Sequence, residues 1–139
     1  MNNNIEKNIN KPIIFDKSKF PDIYVTINSI NNDYEYNLFL NQWDKLYQEY
    51  NQEFNLFIET KNLSINNINL YYSYKIPSFI KKIKNNKPKL LKKTIINIYN
   101  KNILNIFKMI FSIQKPIAYV YIILFTKDNL NNKTYIFKP

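Results

Sequence analysis

Hydrophobic and polar positions alternate between two periods along this chain. From Ile23 to Ile30 (IYVTINSI), Ile23, Val25 and Ile27 fall on one side and Tyr24, Thr26 and Asn28 on the other, which predicts a half-buried strand. Tyr36, Phe39, Leu40, Trp43, Leu46, Tyr47 and Tyr50 then follow at spacings of three and four, the stripe of an amphipathic helix reaching about Asn51. Asn31, Asn32 and Asp33 supply its cap chemistry, and Glu35 places a negative charge in the first turn. Period two returns over 54–60, with Phe54, Leu56 and Ile58 opposite Asn55, Phe57 and Glu59. A polar loop, 61–69, leads to a second helical stripe of Tyr72, Ile76, Phe79, Ile80 and Ile83. Pro77 lies inside that stripe, so the helix is expected to start near it or to kink there.

The remaining elements read the same way. Residues 94–99 predict a third strand, 101–114 a third helix closed by Pro116, and 117–125 a long strand. Ile13, Ile14 and Phe15 suggest a short edge strand, and 134–137 a short final one. Residues 1–11 are rich in Asn and Lys and are expected to form a disordered tail, leaving 12–139 as one domain. The order β-α-β-α-β-α-β predicts a single α/β domain with a mostly parallel sheet of four to five strands. One side of each strand is aliphatic, while the other mixes Tyr, Asn, Thr and Glu59. A sheet covered on both faces would be apolar on both, so the helices are expected mainly on one face.

Composition changes this picture chiefly by exclusion. Among 139 residues there are 25 Asn, 24 Ile, 20 Lys, 12 Tyr and 10 Phe, but no Gly, Cys, His or Arg. Residues with A/T-rich codons are abundant and those needing G or C are scarce, the mark of AT-rich coding. Without Gly there is no P-loop, dinucleotide fingerprint or nucleophile elbow. Without His or Cys there is no ordinary zinc site, histidine base, thiol nucleophile or disulfide. No cofactor is expected, and the chain reads as a binding protein, not an enzyme. Glu59 stands without a His, Arg or metal partner and is expected to pair with a nearby Lys at its strand end.

The net charge of +10 points to an acidic partner, although AT-rich coding raises Lys by itself. Seven lysines crowd into residues 81–93: Lys81, Lys82, Lys84, Lys87, Lys89, Lys92 and Lys93. They form a candidate patch for anionic lipid or phosphate, or else complement a helix C-terminus. The third helix carries an apolar arc wider than packing on a sheet requires. It marks either a second contact, with Leu104, Phe107, Met109 and Phe111 as candidate partner surface, or a face covered by the C-terminal appendage and termini. The partner expected is another protein or a second copy, with an anionic membrane surface next. Nucleic acid ranks lower: Tyr24, Phe57, Tyr99, Tyr119 and Tyr121 on the more polar sheet face suit base stacking, but no RNP1 motif exists and Arg is absent. Residues 103–125 are apolar, yet Lys108 and Lys115 interrupt them, so no transmembrane span is expected. The N-terminus lacks the apolar core of a secretory signal, and an intracellular setting is expected.

The runs WDKLYQEYNQEFNLFIETKNLS, SFIKKIKNNKPKLLKKTIINIYN and ILNIFKMIFSIQKPIAYVYI resemble the small STAS-like domains of large AT-rich DNA viruses. Those are similar to the STAS domains of anti-sigma-factor antagonists and anion transporters, with a layout related to the CRAL-TRIO lobe. The resemblance spans roughly residues 20–125. It implies helices on one side of a four- or five-stranded sheet, no cofactor, and work as an adaptor or sensor. Bacterial antagonists of the family carry a phosphorylatable Ser or Thr before a Gly; the matching stretch 69–73 has no Gly and offers only Ser73, with Ser64 as a second candidate.

Overall fold

The computed structural model describes residues 11–127 and 131–139. Its elements are β1 (Ile13–Asp16), β2 (Asp22–Ile27), α1 (Asp33–Glu49), β3 (Phe54–Glu59), α2 (Leu70–Asn86), β4 (Leu91–Ile98), α3 (Lys101–Ile113), β5 (Tyr119–Leu124) and β6 (Lys133–Phe137). The six strands stand side by side in chain order. β2 to β5 are parallel, while β1 and β6 flank them as antiparallel edges. The sheet is therefore mixed and larger than the four to five mostly parallel strands expected, because each terminal appendage adds a full edge strand. The expected disordered tail lies outside the described residues except for Lys11, whose carbonyl accepts a hydrogen bond from Asn28 Nδ2 at 2.8 Å.

Strand order fixes where the helices go. Each β-α-β crossover is right-handed by the general rule, and all three step in the same direction across the sheet, so all three helices land on one face. A cavity of about 80 Å³ confirms the arrangement: it is lined together by Phe39 and Trp43 of α1, Ile76 and Ile80 of α2, and Ile106 and Phe107 of α3, over Val25, Ile58, Ile96 and Val120 of the strands. The core is this single layer. Ile23, Phe54, Leu46, Ile98, Ile103 and Ile122 lie at its fully buried centre.

Local chemistry sets the element ends. Asn32, Asn69 and Asn100 are the N-caps, with side chains accepting from the backbone N–H of Glu35, Tyr71 and Ile103. Glu35 reaches back to Ser29 Oγ at 2.6 Å and to the Asn31 N–H at 2.9 Å, tying the α1 entry to the end of β2. α2 begins about two turns before Pro77, because Asn69 caps it; the exposed Leu70, Tyr71 and Tyr74 conceal its start in an apolar pattern. β4 begins at Leu91, three residues before the expected start. Phe54 pairs with Leu91 and Asn55 with Lys93, leaving Lys92 as the extra residue of a β-bulge. The bulge lets Leu91 and Thr94 both point inward, which breaks the alternation a sequence reading follows.

Tyr47 of α1 is buried and packs edge-on against Phe54, with ring centroids 5.4 Å apart. Burial pushes its hydroxyl up to about 12, and among the described residues neither it nor Trp43 Nε1, one turn earlier, has a hydrogen-bond partner. The folded state thus holds this proton more tightly than the unfolded chain, where tyrosine ionises near 10. The stability it contributes is complete below about pH 10 and disappears as pH rises through about 12, a loss on the order of 3 kcal/mol. Urea midpoints measured between about pH 9 and 11.5 should fall accordingly, and a Tyr47→Phe variant should lose part of that fall.

Candidate functional site

A sheet wound on one side leaves its other face without a covering layer among the described residues, and the side chains there are not those of an ordinary solvent face. The register sets Tyr24, Phe57, Ile95, Tyr121 and Ile136 side by side on β2 to β6. At the usual strand spacing this row is roughly 19 Å long. Tyr24 and Phe57 stack at 5.0 Å. The neighbouring row runs Asp22, Asn55, Lys93 and Tyr119. Tyr119 and Tyr121 lie on one strand with rings 6.4 Å apart and nearly parallel. Tyr24 and Tyr119 remain 40% and 43% exposed, enough to offer a ring face to a ligand.

Charge is distributed unevenly over this face. Asp16 and Asp22 lie on β1 and β2. The Ser18 side chain and N–H, both donating to Asp16, hold its carboxyl below the usual range, with Lys19 assisting. Asp22 accepts from Asn55 Nδ2 at 3.0 Å, and Lys19 lies over the Tyr24 ring at 5.5 Å. Lys93 stands at the centre of the sheet beside Tyr119. At the carboxyl end of β3, Glu59 accepts the Tyr99 hydroxyl at 2.6 Å and the Thr60 N–H at 3.0 Å. Partial burial, then the hydrogen bond to Glu59 and its charge, push the Tyr99 hydroxyl up to about 12. Glu59 is thus partnered by a tyrosine and a backbone amide, and no lysine among the described residues makes an ion pair with it. Among the described residues no group of His, Cys, Asp and Glu is placed to hold a metal ion.

The seven lysines do not form one surface. Lys81 and Lys82 are exposed on α2, in the helix layer, on the side of the sheet opposite Lys93. Lys87 caps α2 and pairs with Asp44 at 3.1 Å. Lys89 and Lys92 are exposed along the lower rim, where α2 ends and β4 begins. Apart from Lys87, none of the seven makes an ion pair among the described residues. The rim lysines and Lys93 lead from the end of α2 onto the aromatic face.

The expected partner surface on α3 is largely occupied. Leu104 is 3% exposed and belongs to the core, so it is removed from any docking surface. Phe107, Met109 and Phe111 are half-buried against the core. Phe111 packs on Phe137 of β6 at 5.1 Å, and Lys108 lies over Tyr135 at 4.9 Å. β6 places Tyr135 and Phe137 on the helix side of the sheet, opposite Ile122 and Val120, against part of the wide apolar arc. The C-terminal appendage thus meets α3 at Phe111 and Lys108, while Ile113 on the same helix stays 57% exposed. Ser73 is 1% exposed, out of reach of a kinase in the folded protein.

The pairing of strand register that assembles the aromatic row joins residues 112 positions apart, from Tyr24 to Ile136, so the sequence shows its members without their alignment. No family model, curated protein or solved structure matches the chain.

Proposed function

We propose that this protein is a non-catalytic binding domain whose working surface is the open sheet face, and that its ligand is a single-stranded nucleic acid held without sequence specificity. The observation that carries the reading is the register itself: a row of Tyr24, Phe57, Ile95 and Tyr121, three of the four aromatic, lies beside Lys93 and runs on to the lower-rim lysines, which make no ion pair among the described residues. Stacking platforms alongside cationic side chains suit unpaired bases and their phosphates, and every base has a face to stack. Lysine serves this purpose as well as arginine, because no guanine edge has to be read bidentately. The STAS-like resemblance contributes only its implication that the domain works by binding. An intracellular setting accords with this ligand, and no helix among the described residues is long and apolar enough to cross a membrane.

A titration of the protein with an oligothymidylate, followed by tyrosine fluorescence at several salt concentrations, tests the reading. Three or four phosphate contacts from Lys93, Lys92, Lys89 and Lys19 predict a slope of log K against log salt of about −2 to −3. Saturable quenching with that slope supports it. Binding to anionic vesicles with no response to the oligonucleotide assigns the same lysines to a lipid surface and overturns it.

A further inference from the structure

A second cluster lies at the opposite end of the molecule, where α1 and α2 begin. Lys75 projects its Nζ over three tyrosine rings at once: 5.0 Å from the centroid of Tyr36, 5.2 Å from Tyr71 and 6.0 Å from Tyr72. The rings are not parallel. Tyr36 and Tyr72 are 5.2 Å apart with planes at 33°, and Tyr71 meets Tyr72 edge-on at 5.1 Å and 78°. Asp33 accepts the Tyr72 hydroxyl at 2.8 Å, bringing a carboxylate to the rim. We propose that Tyr36, Tyr71 and Tyr72, with Asp33 beside them, form a cage for a methylated ammonium group, and that Lys75 of the same chain occupies it at rest.

Three arguments support this. Aromatic faces carry negative potential, and three of them converging on one point make a cation site stronger than a single contact. Tyr36 and Tyr72 are buried and joined across two helices, so two walls stand in place before any ligand arrives, a preorganisation that lowers the cost of binding. Tyr71, by contrast, is 61% exposed and leaves the cage open to solvent. Its occupant is also the wrong cation for the site. A primary ammonium is compact and strongly hydrated, whereas a methylated one spreads its charge over methyl groups that favour ring faces. Lys75 makes no ion pair among the described residues that would fix it in place. It holds the site through its tether, which acts as a high local concentration of competitor.

The test titrates the full chain and a Lys75→Ala variant with tetramethylammonium, choline and the amide of trimethyl-lysine, with sodium chloride as ionic-strength control. Ring proton shifts of Tyr36, Tyr71 and Tyr72 are the readout. The proposal expects saturable shifts, with half-saturation roughly five- to tenfold tighter in Lys75→Ala than in the native chain, and none once Tyr71→Ala is added. Tighter binding of trimethyl-lysine amide than of choline would identify the source as a modified side chain; the reverse order would identify a small-molecule or headgroup cation, and either order supports the cage. Lys75→Gln, which keeps more of the side chain, serves if Lys75→Ala does not fold. A non-saturable response matching sodium chloride, or equal affinity with and without Lys75, overturns the proposal.

Discussion

Replacing Tyr121 by Ala and Lys93 by Glu together should weaken oligothymidylate binding by at least about tenfold while leaving the fold intact. Tyr121 is the fourth member of the aromatic row and Lys93 is one strand away in the next row, next to Tyr119. Base stacking on one aromatic side chain is worth about 1–3 kcal/mol. Reversing a charge that neutralises a phosphate removes further affinity, most visibly at low salt. Both side chains are only half-buried and sit on the face without a core, so the stability cost should stay within about 1 kcal/mol. Lys81→Glu makes the same change in net charge from within the helix layer. It should weaken binding by no more than about twofold, the part owed to the general field of the molecule. Equal losses from the two proteins would show that net charge, not the sheet face, drives association.

Phe54→Ala should destabilise the protein by about 3–5 kcal/mol. Phe54 is fully buried, its ring faces Tyr47, and its strand position adjoins the bulge at Lys92. Against a total stability of roughly 5–15 kcal/mol, that loss is enough to leave a visible unfolded population at physiological temperature. Tyr24→Ala, an aromatic truncation on the same sheet but on the other face, should cost about 1 kcal/mol or less. Urea unfolding of the two variants checks both numbers. Similar losses would contradict a core built on one side of the sheet alone.

The sequence was legible where periodicity and burial agree. β2, β3 and β5 bury every second residue, and α1 and α3 have Asn caps followed by clean stripes, so their order and type follow from the pattern. It misled where one residue shifts the period: Lys92 breaks the alternation of β4, and the exposed Tyr71 and Tyr74 hide the first turn of α2. The character of the open face was also readable, because Tyr24, Phe57, Tyr119 and Tyr121 all oppose aliphatic positions on their strands. Features made by distant pairing were beyond it. Nothing local indicates that Phe137 packs on Phe111, that Leu104 faces the core, or that Tyr36 of α1 joins Tyr72 of α2 beside Lys75.

The most direct measurement of the central claim is a map of backbone amide shifts on a labelled sample titrated with oligothymidylate. The account predicts perturbations concentrated on β2 to β5 around Tyr24, Phe57, Ile95, Lys93, Tyr119 and Tyr121, extending to Lys89 and Lys92 on the rim. Perturbations gathered instead on Lys81 and Lys82 of α2, or on Phe107 and Phe111 of α3, would contradict it and move the binding surface to the helix layer.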